Sequence, residues 1–255
     1  MKSIKHFLKQ DNLRDQKAWC NIWSNHKHFS IASKESIVRR WIEEYFKILK
    51  NEEKNVLEIG CFPGSHLAVW GELGYELNGI DFYPRVSNEL PHWLKSENYK
   101  VGNFYEVDFF KYNEKNKFDV VCSFGFIEHF TNFEEVLNKH AFLVKEGGYL
   151  VISTPNYRGF IQRILHSALD TASYKEHYIP SMNPYLWKNI AERSGFHTIF
   201  CGGFGNFWFW ANSEKANFIQ KISIKLLLKT LPVLSRLPSC LAYSPCYGLI
   251  ARLSP

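Results

Sequence analysis

The chain has 255 residues, 45% hydrophobic and 22% charged, the proportions of a globular protein large enough to build a full core. Its net charge of +6 is uneven: six basic and no acidic residues follow Glu214, so residues 1–214 are balanced and the tail holds the surplus. The neutral body lacks the basic stripe of a nucleic-acid protein, no run reaches the roughly 18–20 apolar residues of a membrane span, and the opening residues lack a signal peptide's apolar stretch; a cytoplasmic protein with no nucleic-acid partner is expected.

Residues 1–50 read as an N-terminal helical cap segment and 51–255 as the main domain. Within 33–50, Ile37, Val38, Trp41, Ile42, Tyr45, Phe46 and Leu49 recur at helical spacing, with Ser33 and Ser36 available as caps. Residues 55–60 form a short apolar strand, 61–65 a turn, and 66–74 a helix closed by Gly74. A second strand (75–81), a Pro-punctuated helical stretch (84–95), a weak third strand before Asp108 and a strongly apolar strand (117–125) follow. Next come a helix (132–144), a turn (145–148) and a buried strand (149–155). Such alternation defines an α/β protein with a parallel sheet covered on both faces.

Past Pro155 the rhythm changes. A polar connection (156–183) leads to a helix (184–195) and a strand (196–203), and the last strand is predicted at 246–252. Between these strands lies a basic helical insertion at about 211–243. In its segment 215–237, Lys221, Lys225 and Lys229 stand four residues apart among Ile and Leu, predicting a cationic amphipathic helix ended by Pro232. Such a helix either makes peripheral contact with an anionic membrane or docks its apolar side on the domain or a second subunit, and the oligomeric state stays open. Trp19, Trp23 and the run from Phe204 to Trp210 serve either as an aromatic wall for an acceptor or as core. The six cysteines (Cys20, Cys61, Cys122, Cys201, Cys240, Cys246) include no C-x-x-C pair, so reduced thiols are expected rather than a disulfide framework or a zinc site.

The turn after the first strand carries the chemistry. A dinucleotide fingerprint starting at Gly60 would need glycines at 62 and 65, where the chain has Phe62 and Ser65. The segment Glu58-Ile59-Gly60-Cys61-Phe62-Pro63-Gly64 instead resembles the E-x-G-x-G-x-G motif of S-adenosylmethionine-dependent methyltransferases with a Rossmann-like fold. Glu58, Gly60 and Gly64 match; Phe62 takes the place of the middle glycine and leaves less room for backbone beside a ligand. Asp81 ends the second strand, 21 residues after Gly60, where the family places the acid that takes both ribose hydroxyls. Asp108-Phe109 resembles the pair that meets the adenine amine and ring. The stretches 118–130, 143–156 and 176–196 are similar to the family's later strands and connections.

The resemblance runs from about Val56 to Phe200 and is closest to the ubiquinone-pathway-like small-molecule O-methyltransferases and to relatives from bacterial surface-polysaccharide genes. It implies a doubly wound, mostly parallel seven-stranded sheet with an antiparallel last strand. It also implies S-adenosylmethionine as cofactor, held by Glu58, Gly60, Cys61, Phe62, Gly64, Asp81, Phe82, Asp108, Phe109, Ser123 and Phe124. Methyl transfer to a hydroxyl needs a base near neutral pKa, and His129 or His177 is placed for it, with Glu128 orienting it or gripping the acceptor. His66 could also touch cofactor or substrate. Some quinone-pathway relatives hold a divalent metal beside such a Glu-His pair through an upstream acid; Phe124, Gly125 and Phe126 stand there instead, so no catalytic metal is expected. The implied acceptor is small or carrier-linked, such as a sugar or sugar phosphate of surface-glycan synthesis. The alternatives are a phenol or quinone precursor, or a noncatalytic nucleoside-binding role.

Overall fold

The computed structural model describes residues 16–48, 52–113, 115–212 and 216–255. Leu49, placed above in the first helix, and Lys215, in the basic segment, lie outside the described residues. Seven strands, β1 (Asn55–Ile59), β2 (Glu76–Asp81), β3 (Val101–Glu106), β4 (Phe118–Phe124), β5 (Val144–Pro155), β6 (Phe196–Phe204) and β7 (Cys246–Leu253), form one sheet in the order β3-β2-β1-β4-β5-β7-β6. Only β7 runs antiparallel, against both β5 and β6. The order reverses between β1 and β4, and connections leaving in opposite directions open a crevice beyond the carboxyl ends of those two strands.

Side-chain alternation along the strands builds a core on each face. Leu57, Ile59, Val121, Leu150 and Ile152 pack on one side with helices α5 (Phe133–Phe142) and α8 (Pro184–Arg193), around a fully buried Trp187. Val56, Val120, Cys122 and Val151 pack on the other with α2 (Ile37–Tyr45), α3 (Leu67–Glu72) and α4 (Arg85–Ser96), around Trp70. Each such fully buried large side chain contributes about 1.5–3 kcal/mol.

Helix α2 starts at Ser36, whose hydroxyl accepts from the Arg39 N–H, and stops at Phe46, which turns extended as its ring docks edge-on to Trp70 at 4.7 Å. A shorter helix, α1 (Gln16–Ser24), buries none of its residues fully. All six cysteines are free thiols.

Four segments depart from the sequence expectation. The turn at 145–148 is the first part of β5: Val144 already pairs with Phe118, and Gly147 at φ +71° takes up an irregularity before Tyr149 meets Val120. The polar connection contains α6 (Phe160–Leu169) and α7 (Thr171–Lys175). Helix α6 was hidden because its inner face is polar: Gln162 and His166 are fully buried, and the Gln162 amide donates to the carbonyls of Trp208 and Tyr243, both at 2.8 Å. The basic helix α9 (Phe218–Leu234) runs past Pro232: the proline forfeits one rung of the hydrogen-bond ladder, which resumes beyond it where the Ser235 N–H donates to the Leu231 carbonyl at 2.8 Å. The run after β6 is largely core, since Phe207 and Phe209 pack beneath α9 against Ile224 and Leu231.

Candidate functional site

A cavity of about 320 Å³ opens at the carboxyl ends of β1, β2 and β4. The β1 turn forms its floor because two glycines adopt conformations that other residues rarely take. Gly60 has φ +70°, and a Cβ there would come within 2.6 Å of the Phe126 ring; Gly64 has φ +89°, and a Cβ would run into the Leu90 side chain. The N–H groups of Gly60 and Cys61 both donate to the Ile80 carbonyl, at 2.8 and 3.3 Å, which fixes the turn to the end of β2.

Asp81 is 8% exposed and ties the same corner together, accepting from the Phe62 N–H at 3.1 Å and the Tyr83 N–H at 2.9 Å. Burial pushes its carboxyl up to about 6, against the pull of those backbone donors. Glu58 lines the cavity, buried, and its Oε2 has no hydrogen-bond partner among the described residues. Burial, and then the neighbouring Asp81 charge, raise its pKa well above the carboxylate range. On the β3 side, Asp108 caps the 3₁₀ turn Phe109–Lys111 by accepting from the Phe110 N–H at 2.9 Å.

Gly60, Cys61, Phe62, Gly64, Phe82, Asp108, Phe109 and Phe124 all line the cavity with Glu58 and Asp81. Ser123 is fully buried within β4 and is not among the lining residues. His66 does line it, and burial lowers its pKa to about 4, so it stays neutral.

The departure at Phe62 has a structural reason. Its ring packs against Trp23, His26, Phe29 and Tyr83 at centroid distances of 4.7–6.0 Å, and the Arg85 guanidinium lies over both Phe29 and Phe62. The residue that replaces a motif glycine therefore anchors the N-terminal segment onto the turn. That anchor brings Gln16, Trp19 and Trp23 of α1 into the cavity wall.

The segment after β4 completes the wall with Phe126, His129 and Phe130. Trp19 meets the His129 imidazole edge-on at 4.8 Å, and the His177 ring lies 4.9 Å from it. His177 comes from the connection after α7, which is clamped by the Tyr178 N–H donating to the Glu128 carbonyl at 2.8 Å. Glu128 is buried beneath the histidines, its carboxyl raised to about 8 by burial. Neither Glu128 nor His177 is a lining residue; both stand behind His129. One donor atom from each of Glu128, His129 and His177 lies within 4.8 Å of the others, a set chemically able to hold a divalent cation. The sequence expectation of no metal rested on the missing upstream acid and did not place His177 beside the pair.

Sequence reasoning did not single out Gln16, Val107, Phe110, Phe126 or Phe130 as lining residues. For four of them the signal was only an apolar residue beside a strand end, indistinguishable from core.

Comparison with known proteins agrees with this geometry. Residues 27–199 match the methyltransferase domain family, and the chain belongs to it. A ubiquinone biosynthesis O-methyltransferase of Bradyrhizobium sp. (strain ORS 278) is 30% identical over 107 residues, which are 40% of each chain. The aligned region thus spans well under half of that relative's length. Among solved structures, a SAM-dependent methyltransferase from Archaeoglobus fulgidus superimposes with a TM-score of 0.53 at 23% identity, covering 84% of this chain and 92% of its own. Phosphoethanolamine N-methyltransferase 2 of Haemonchus contortus, solved with S-adenosyl-L-methionine, gives 0.56 at 17% identity over 86% of this chain and 52% of its own. At these identities the two structures speak for the fold.

Proposed function

We propose that this chain binds S-adenosylmethionine in the crevice cavity and methylates a hydroxyl of a small or carrier-linked acceptor. The observation that carries the proposal is the meeting, around one cavity, of the Asp81 carboxylate at the end of β2 with the His129 imidazole after β4. S-adenosylmethionine supplies a methyl group on a sulfonium sulfur that leaves as a neutral thioether in an in-line displacement.

The protein's own part is alignment and proton removal. After accepting the Phe62 and Tyr83 N–H groups, the Asp81 oxygens keep further lone pairs, enough for two ribose hydroxyls. Asp108 and Phe109 stand at the β3 end for an adenine amine and ring. A cationic group entering beside Glu58 would offset the burial that raises this carboxyl's pKa. His129, on the cavity wall, takes the acceptor proton; His177, in ring contact with it, is the other candidate, and Glu128, buried and off the cavity lining, is left to orient the pair rather than to grip the acceptor.

A sugar or sugar phosphate of surface-glycan synthesis is the acceptor class we favour. A phenol or quinone precursor is the second reading, supported by the aromatic lining and by the name of the Bradyrhizobium relative.

Calorimetry with S-adenosylhomocysteine tests the cofactor site. Asp81→Ala is expected to weaken binding by roughly 2–4 kcal/mol, because two charge-assisted hydrogen bonds of about 1.5–3 kcal/mol each are lost and partly replaced by water. Unchanged affinity in the folded variant would remove Asp81 from the ribose. Methyl transfer to glycosyl and phenolic acceptors, measured side by side, separates the two acceptor readings.

A further inference from the structure

Helix α9 is apolar on two sides, and the sheet domain uses only one. Ile224 and Leu231, with Leu227 and Leu234 beside them, pack inward on Phe207 and Phe209. On the other side Phe218, Ile219, Ile222, Leu226 and Val233 stand 45–78% exposed. In a helix with 100° between residues these five fall in one stripe, and Lys221, Lys225 and Lys229, all exposed, form a second stripe along its edge. A helix facing only water would be polar there.

The neighbouring helix behaves alike. Helix α6 supports α9 through Leu165 and Leu169, and the Gln220 side chain donates to the Ala168 carbonyl at 2.9 Å. Outward, α6 leaves Phe160 73% and Ile164 52% exposed, with Arg163 exposed between them.

We infer that the outer face of α9, continued by α6, docks on an anionic lipid bilayer, with the apolar stripe in the acyl boundary and the lysines at the headgroups. Charge selects this occupant over a second copy of the chain. No acidic residue occurs from 215 to the end of the chain, and the exposed residues of α6 add none. A twofold pairing of this face would set cationic stripes against each other with nothing to neutralise them, whereas acidic headgroups supply the missing charge. Among the described residues no helix is long and apolar enough to cross a membrane, so the contact is peripheral. This inference stands apart from the proposed chemistry, and its test needs no turnover.

The test is co-sedimentation of the full chain with vesicles of phosphatidylcholine alone or with about a third phosphatidylglycerol, at low and high salt. Wild type is expected to bind the acidic vesicles and to lose binding as salt rises and charge is screened. Replacing Lys221, Lys225 and Lys229 together with glutamine should lower partitioning by about fivefold per lysine, roughly a hundredfold in all. Ile222→Ser with Leu226→Ser, both at exposed positions, should lower binding to acidic vesicles while leaving the circular-dichroism melt and S-adenosylhomocysteine affinity unchanged. Absence of lipid-dependent sedimentation by folded wild type at low salt overturns the inference. So does a dimer in sedimentation equilibrium that the serine pair dissolves, since a second copy would then cover the face.

Discussion

The two sides of the cavity are built on different principles. The cofactor side is a matter of backbone: Gly60 and Gly64 take left-handed conformations, two N–H groups converge on the Ile80 carbonyl, and Asp81 closes the corner through two more. That corner comes from residues at the ends of two paired parallel strands, with Asp108 and Phe109 joining the wall from the end of β3. The proposed acceptor side is a matter of side chains from distant segments: Trp19 from α1, His129 after β4 and His177 after α7 meet through ring contacts, and a backbone hydrogen bond clamps the connection that carries His177. A site assembled this way can hold its cofactor geometry while its substrate wall is rebuilt, because the two sets share few supports.

The sharpest way to break this contrast is on the acceptor side. His129→Ala or His177→Ala, whichever removes the base, should lower turnover by about two to four orders of magnitude and leave S-adenosylhomocysteine affinity nearly unchanged. If both variants keep near-full turnover, the proton leaves by another route or the acceptor arrives already ionised.

Phe62 is where the two sides touch. Phe62→Gly, which restores the family's motif, should destabilise the protein by about 3 kcal/mol in chemical denaturation through loss of a buried aromatic anchor. It should also make the segment around Trp19 and Trp23 an early site of proteolysis. A variant as stable and protease-resistant as wild type would show that the N-terminal segment is held by other contacts.

A smaller effect concerns pH. The free Asp81 carboxyl titrates at about 6, raised by burial, while ribose hydroxyls donate best to its charged form. Affinity for S-adenosylhomocysteine should therefore be flat above that pH and fall as pH drops below it, by up to about tenfold per unit. The dependence should vanish in Asp81→Asn, and a flat profile in wild type would contradict it. The smallest expected effect is on chelation. If the Glu128, His129 and His177 group handles a proton, EDTA followed by dialysis leaves turnover unchanged, whereas loss of turnover restored by one divalent cation would make it a metal centre.

The same contrast explains what could be read from the sequence. Glu58, Gly60, Gly64, Asp81 and Asp108 were legible because backbone geometry leaves few residue choices at a turn, and all five line the cavity. Phe62 could be seen as a departure but not as an anchor, since its partners Trp23, Phe29 and Tyr83 lie in three other segments. The approach of His177 to His129 depends on how the connection after α6 folds. That connection read as a loop because α6 turns Gln162 and His166 inward, against hydrophobic periodicity. The basic helix was legible in charge and spacing. That its apolar residues split into an inner and an outer stripe emerged only once Phe207 and Phe209 had claimed one side.

The strand pairing at the far edge of the sheet has a consequence for how such a protein could be remade. Phe204, the last residue of β6, pairs with Cys246, the first of β7, so the excursion carrying α9 leaves and re-enters the sheet at neighbouring points. In mechanical terms it is a detachable module on a closed port: a short hairpin could bridge the two strands without shifting any register. What resists the exchange is lateral: α9 seats on α6, and the residues before β7 are held by Asn156, just after β5, and by Gln162 of α6, which donate to the carbonyls of Ser244 and Tyr243. Whatever replaces the module must re-cover Leu165 and Leu169. A chain that does so, and gives the buried Asn156 and Gln162 amides new acceptors, could carry the same crevice on a different surface.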